Sequence, residues 1–179
     1  MDRHPRTAGH RQAAGQAPGR RRQRRHLRDH GIARVRGRRP GRVSRLDRDV
    51  LALHDVKSVI YYYGTNDIGN NCSADAIVAA YRDTFARLHA AGIKVFVTPI
   101  TPRPGYTAEQ NVQRAAVNEF VRAGDNCSGT CDGVFDFDRV LRDPDNPNSI
   151  RPAYDSGDGV HANIAGQTAI ARSIPLGRL

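Results

Sequence analysis

A chain of 179 residues with a formal net charge of +10 is long enough for one domain, or one domain with an appendage, and too short for several. It holds no run of about twenty apolar residues, which excludes a membrane-spanning helix. The first residues lack the apolar stretch of a signal peptide, so no export signal is expected in the chain as it stands. The charge is unevenly spread: residues 1–50 hold 16 of the 28 Lys+Arg and 4 of the 18 Asp+Glu, leaving 12 basic against 14 acidic residues in 51–179. A basic surplus ordinarily points to nucleic acid or an acidic surface. Here it belongs to an arm, and the body of the chain is near-neutral.

From Met1 to about Val43 there is neither helical nor strand periodicity, and "GRRRQRRHLRDH" is almost wholly polar. Residues 1–43 are therefore not expected to fold by themselves, and the folded domain is expected over 44–179. "RLDRDVLALHD" predicts a short helix. "VKSVIYYYG", β-branched and aromatic and ended by Gly64, predicts a strand buried on both faces. "SADAIVAAYRDTFARLHAAG" predicts a helix started by Ser73 and stopped by Gly92, with apolar residues at helical spacing. "IKVFVTPI" predicts a second buried strand, and "TAEQNVQRAAVNEFVRAG" a helix capped at Thr107 and closed at Gly124. "GVFDFDRVL" predicts a third strand running into a turn, "RDPDNPNSIRPAY" a loop, and "ANIAGQTAIARSI" a last helix. Strands alternating with helices imply a parallel sheet with helices on its faces.

In such sheets chemistry gathers at the carboxyl ends of the strands, where "GTND" follows the first strand directly. Asn66 there offers an amide donor to a developing oxyanion, a contribution of about 3 kcal/mol to a barrier; an ordinary Asn/Asp turn gives the same tetrapeptide. Near the C-terminus, "DSGDGVHAN" sets Asp158 three residues before His161. A carboxylate so placed accepts from an imidazole, fixes its tautomer and supports its protonated form. The bland alternative is an Asp capping the last helix. Loop residues 98–111 leave the second strand at the same edge, with Tyr106 as a candidate pocket wall or a plain surface residue. Cys127 and Cys131 in "NCSGTC" are either a disulfide or two free thiols, with Cys72 left single. No histidine lies near them, and no metal is expected.

In that order, "GTND" after a buried strand and "DSGDGVHAN" before a last helix resemble the SGNH hydrolases, the GDSL-type lipase and esterase family, over roughly residues 44–175. The resemblance implies a flavodoxin-like three-layer α/β/α fold with a parallel sheet. It implies hydrolysis of carboxylic esters, or of acyl groups on carbohydrate, through an acyl-enzyme. His161 corresponds to the family's base, Asp158 to its acid and Asn66 to an oxyanion-hole donor. No metal or organic cofactor is implied, the partner is a small ester substrate, and likeness to secreted members with a small cysteine loop implies a secreted protein.

The family's nucleophile sits in a G-D-S-L-like turn after its first strand, and no such block is present. The serines are Ser44, Ser58, Ser73, Ser128, Ser149, Ser156 and Ser173. None follows a strand in a Gly-Asp-Ser context, Ser156 lies in the Asp158–His161 turn, and the nucleophile is unassigned. The second block's glycine is missing too. Arg, Gly, Ala, Pro, His and Gln in excess, with no Lys, is what GC-rich coding DNA yields in a shifted frame, so residues 1–43 are expected to be a frame-shifted reading of the missing blocks, the other reading being a nucleophile block encoded upstream of Met1. The domain is then incomplete at its N-terminal side, with an open apolar edge on the first visible strand and impaired activity. Two alternatives stand beside it: a non-catalytic remnant or binding module of the same fold, and a basic arm that binds nucleic acid by counterion release. The arm lacks aromatic residues for base stacking, and nucleic acid is not the expected partner.

Overall fold

The computed structural model describes residues 45–179; the expectations for residues 1–43 lie outside them. After one wide helical turn, Asp47–Leu51, come β1 (Ser58–Tyr61), α1 (Thr65–Gly69), α2 (Ala74–Ala90), β2 (Lys94–Val97), α3 (Ala108–Arg122), β3 (Gly133–Val134), α4 (Phe137–Leu141) and α5 (Ile164–Ser173). The strands form one parallel sheet in the order β1-β2-β3. Ser58 lies opposite Lys94, Tyr61 opposite Val97, and Phe96 opposite Gly133.

Strand alternation divides the core between the two faces of this sheet. Val95 and Val97 point to one side, against Ile77, Tyr81 and Phe85 of α2 and Val117 and Val121 of α3. Phe96 points to the other, against Phe135, Phe137, Leu141, Ile150 and Ile170. Two apolar clusters on opposite faces make the domain three-layered, as the sequence implies. Each large side chain fully removed from water contributes about 1.5–3 kcal/mol, so α2, with Tyr81 and Phe85 buried, anchors the first layer.

The long helices follow their capping signals. Ser73 Oγ accepts the N–H of Ala76. Thr107 and Gln110 form a reciprocal capping box, each side-chain oxygen accepting from the other's backbone N–H, which satisfies two backbone donors that a helix start leaves open.

Three expectations change. The first strand is not buried on both faces: Ile60 is 37% and Tyr62 42% exposed, with Tyr62 reaching the second cluster at its rim, edge-on to Phe137; the open edge expected of this strand stands among the described strands. "GTND" is not a simple turn: Thr65, Asn66 and Asp67 open a short helix, α1, with the left-handed Gly64 before it. The third strand stops after two residues, because Asp136 Oδ1 accepts the N–H of Arg139 at 2.8 Å and caps α4.

A buried ionic hub ties α3 to α4. Asp138, fully buried, pairs with Arg114 (3.2 Å), Arg122 (2.6 Å) and Arg142 (3.3 Å). Arg114, itself buried, also donates to the Pro147 carbonyl and to Asn148 Oδ1. The proline-rich loop after α4 is thus held to the middle of α3 by charge-assisted bonds from Arg114.

Candidate active site

The carboxyl ends of β1 and β2 build the first half of the site. Gly64 leaves β1 at φ 110°, and a β-carbon there would stand 2.5 Å from Ile100 Cδ1 and 2.7 Å from Tyr81 Oη. Only glycine tolerates both the left-handed backbone and that contact. The chain then turns at once into α1 and presents Asn66, half-buried, at the sheet edge.

The loop after β2 clamps α1 from above. Its root is fixed by Asn118 of α3, whose side chain accepts from the N–H of Ile100 (2.6 Å) and donates to its carbonyl (2.9 Å). Arg103 Nη1 then donates to Asn66 Oδ1 at 3.4 Å. Tyr106 Oη donates to the Thr65 carbonyl at 2.5 Å, and Gln110 Nε2 donates to the Ile68 carbonyl at 3.2 Å. Tyr106 is therefore a support of the Asn66 turn and not a plain surface residue. Burial pushes its phenol upward, against the pull of the nearby Arg103.

The second half is the turn before α5. His161 Nδ1 lies 2.5 Å from Asp158 Oδ2, while Asp158 Oδ1 accepts the N–H groups of Val160 (2.9 Å) and His161 (2.8 Å). The imidazole bond first, and then these backbone donors, hold the Asp158 carboxyl far below the usual carboxylate range. Asp155 Oδ1 accepts from Gly157 and Gly159. Asn163 caps α5 by accepting from Gly166 and donates to the Ala153 and Asp155 carbonyls. The helix cap is thus Asn163, which leaves Asp158 to its histidine. The His161 side chain is 76% exposed, so its ring is open to a substrate.

The two halves meet through the loop: Pro104 lies against Gly159, where a β-carbon would come 2.5 Å from Pro104 Cγ. One residue, Arg103, touches the Asn66 turn, and the next touches the Asp158–His161 turn. Neither was singled out from sequence, since a polar loop with prolines carries no pattern that marks it.

Four of the described serines are engaged elsewhere. Ser73 caps α2, Ser149 accepts from Asn146, and Ser173 donates to the Ile170 carbonyl. Ser156 Oγ donates to Asp158 Oδ1 at 3.2 Å. Among the described residues no serine hydroxyl is hydrogen-bonded to His161. Cys127 and Cys131 are joined as a disulfide and Cys72 is free. Among the described residues no group of three or more His, Cys, Asp or Glu is placed to hold a metal ion, and no helix is long and apolar enough to cross a membrane.

A comparison with curated protein sequences returns no match. Among solved structures, the chain is similar to a protein assigned as an acylhydrolase from Bacteroides fragilis, with TM-score 0.65, 21% identity, and 76% of this chain and 67% of that one covered. It is similar to a protein assigned as lipolytic, of the G-D-S-L family, from Desulfitobacterium hafniense (TM-score 0.59, 19% identity, 73% and 70% covered). It is also similar to a GDSL-like lipase from Bacteroides thetaiotaomicron (TM-score 0.60, 19% identity, 76% and 68% covered). These likenesses carry the fold. The family model for GDSL-like lipases and acylhydrolases matches residues 4–169, so the match takes in most of the arginine-rich segment as well as the domain. On that match, the chain belongs to the GDSL-like lipase/acylhydrolase family, a family of hydrolases.

Proposed function

We propose that the site is built for serine-type hydrolysis of a carboxylic ester, or of an acyl group on carbohydrate, and that the chain as written lacks the serine. The observation that carries this reading is the Asp158–His161 pair at 2.5 Å, joined through Pro104 and Arg103 to Asn66 at the same sheet edge. In the proposed reaction a serine hydroxyl attacks the ester carbonyl as His161 Nε2 takes its proton. Asp158 holds Nδ1 and supports the imidazolium, and the Asn66 amide donates to the oxyanion. His161 then returns the proton to the leaving alcohol, and water repeats the sequence on the acyl-enzyme. No cofactor takes part.

Residues 4–43 fall within the family match but contain no serine, the first in the chain being Ser44. This supports impaired activity: without its nucleophile such a triad loses about a factor of 10⁶ in turnover. We read residues 1–43 as a shifted frame over the nucleophile block. The Cys127–Cys131 disulfide supports a secreted protein, because disulfides persist in oxidising compartments.

Sequencing the coding DNA upstream of the Ser44 codon, with labelling by a fluorophosphonate, tests the proposal. The expected result is no labelling of this chain, and labelling of a frame-corrected chain at a serine in a Gly-Asp-Ser context. A gene without such a block in any frame favours the non-catalytic remnant, and labelling of the present chain contradicts the missing serine.

A further inference from the structure

We infer that Arg103 is a positioning residue for Asn66, and that the Arg103–Pro104 pair is the strut that holds the Asn66 turn against the Asp158–His161 turn. This rests on the reading of Asn66 as the oxyanion donor. A carboxamide has two ends of nearly equal size and only the NH₂ end donates, so an oxyanion hole made from asparagine needs something that tells the two apart. A guanidinium does so: it has five N–H donors and no acceptor, so it binds Oδ1 and not Nδ2. With Oδ1 on Arg103 Nη1 at 3.4 Å, the NH₂ is turned away from the loop. The positive charge beside Oδ1 also polarises the amide and makes its N–H groups stronger donors.

The guanidinium is itself held. It lies over the Tyr106 ring, 5.7 Å from its centroid, a contact of cation–π type, and Tyr106 is bonded to Thr65 in the same turn. Nη1 also covers Gly69, where a β-carbon would stand 3.5 Å from it. No carboxylate among the described residues forms an ion pair with Arg103, whereas Arg114, Arg122 and Arg142 all engage Asp138. Arg103 is therefore directed at the Asn66 turn and not at a structural counter-ion. Its neighbour Pro104 meets Gly159, so a shift of the loop moves both halves of the site together.

The test is NMR on the full chain, uniformly ¹⁵N-labelled, reading the side-chain NH₂ signals of Asn66, assigned by their disappearance in Asn66→Asp. Arg103→Met keeps the length and packing of the stem and removes the donors; Arg103→Lys keeps the charge and loses the planar fork. The expected result is a sharp, separated NH₂ pair in the parent chain. In Arg103→Met that pair should broaden or be lost while the backbone amides of residues 65–69 stay in place, and Arg103→Lys should lie between. Asn66 NH₂ signals unchanged in a folded Arg103→Met protein would overturn the inference. If Arg103→Met does not fold, Arg103→Lys decides by the same criterion, unchanged signals again overturning it. The readout does not depend on turnover. A failed hydrolase reading leaves the strut tested, and unchanged signals overturn the strut even where hydrolysis is found.

Discussion

Gly159 and Pro104 approach so closely that a β-carbon on residue 159 would lie 2.5 Å from Pro104 Cγ, with the backbone of Gly159 at φ +70°. Gly159→Ala meets both a left-handed backbone penalty and a clash, which together cost about 2 kcal/mol. The measurement is the urea midpoint at constant slope. The expected outcome is a lower midpoint, and an unchanged one would mean that the loop yields freely.

Asp158 should remain ionised in acid. Its folded carboxyl is held below its unfolded value by the His161 imidazole first and the backbone N–H groups of His161 and Val160 after it. A depressed carboxyl contributes stability that is present above the unfolded value of about 3.9. That contribution is lost as pH falls through the folded value. Carbon NMR of the Asp158 carboxyl should show it charged at about pH 3. In His161→Ala the midpoint should move upward, and a parent midpoint near the ordinary value would contradict the pairing.

Removing the charge at the ionic hub should be costly. Asp138 is buried among Arg114, Arg122 and Arg142, and Asp138→Asn leaves Arg114 buried without a counter-charge. Breaking a buried pair from one side typically costs about 3–5 kcal/mol. Calorimetry on the variant should show a large fall in melting temperature, whereas a small one would mean that water enters the hub.

Cys72 is the free thiol of the three cysteines. Burial, and then the Asp67 carboxylate, push it above the ordinary thiol value, and the thiolate is the reactive form. Iodoacetamide without reductant should add one group, slowly, at neutral pH, with the rate rising into the alkaline range. After reduction and unfolding mass spectrometry should count three. Fast single alkylation at neutral pH would contradict the shifted thiol.

Much of this was legible in the sequence because it is local. The caps at Ser73 and Thr107 and the apolar spacing of α2 and α3 follow from chemistry within a few residues, and so does the pairing of Asp158 with His161 across one turn. The rest depends on the chain's return to itself. Ile60 and Tyr62 look like core residues until the second apolar cluster is seen to gather around Phe96 and Phe135, which leaves them part-exposed. The short third strand is a local exception: Asp136 caps Arg139 three residues on, as Ser73 caps Ala76, but the apolar and aromatic residues of "GVFDFDRVL" read as a strand running past it. Arg103 lies 37 residues from Asn66 and Pro104 lies 55 from Gly159, and no short pattern records that they lie between them. Charge counts over residues 51–179, likewise, do not show that one buried carboxylate, Asp138, serves Arg114, Arg122 and Arg142.

The most direct measurement is the steady-state hydrolysis of p-nitrophenyl acetate by the purified chain and by His161→Ala, side by side. Asp158, His161 and Asn66 without a serine to activate predict equal rates, both close to the buffer background. A parent rate far above background that falls on removing His161 would mean that the chain carries its own nucleophile, and would contradict the central claim.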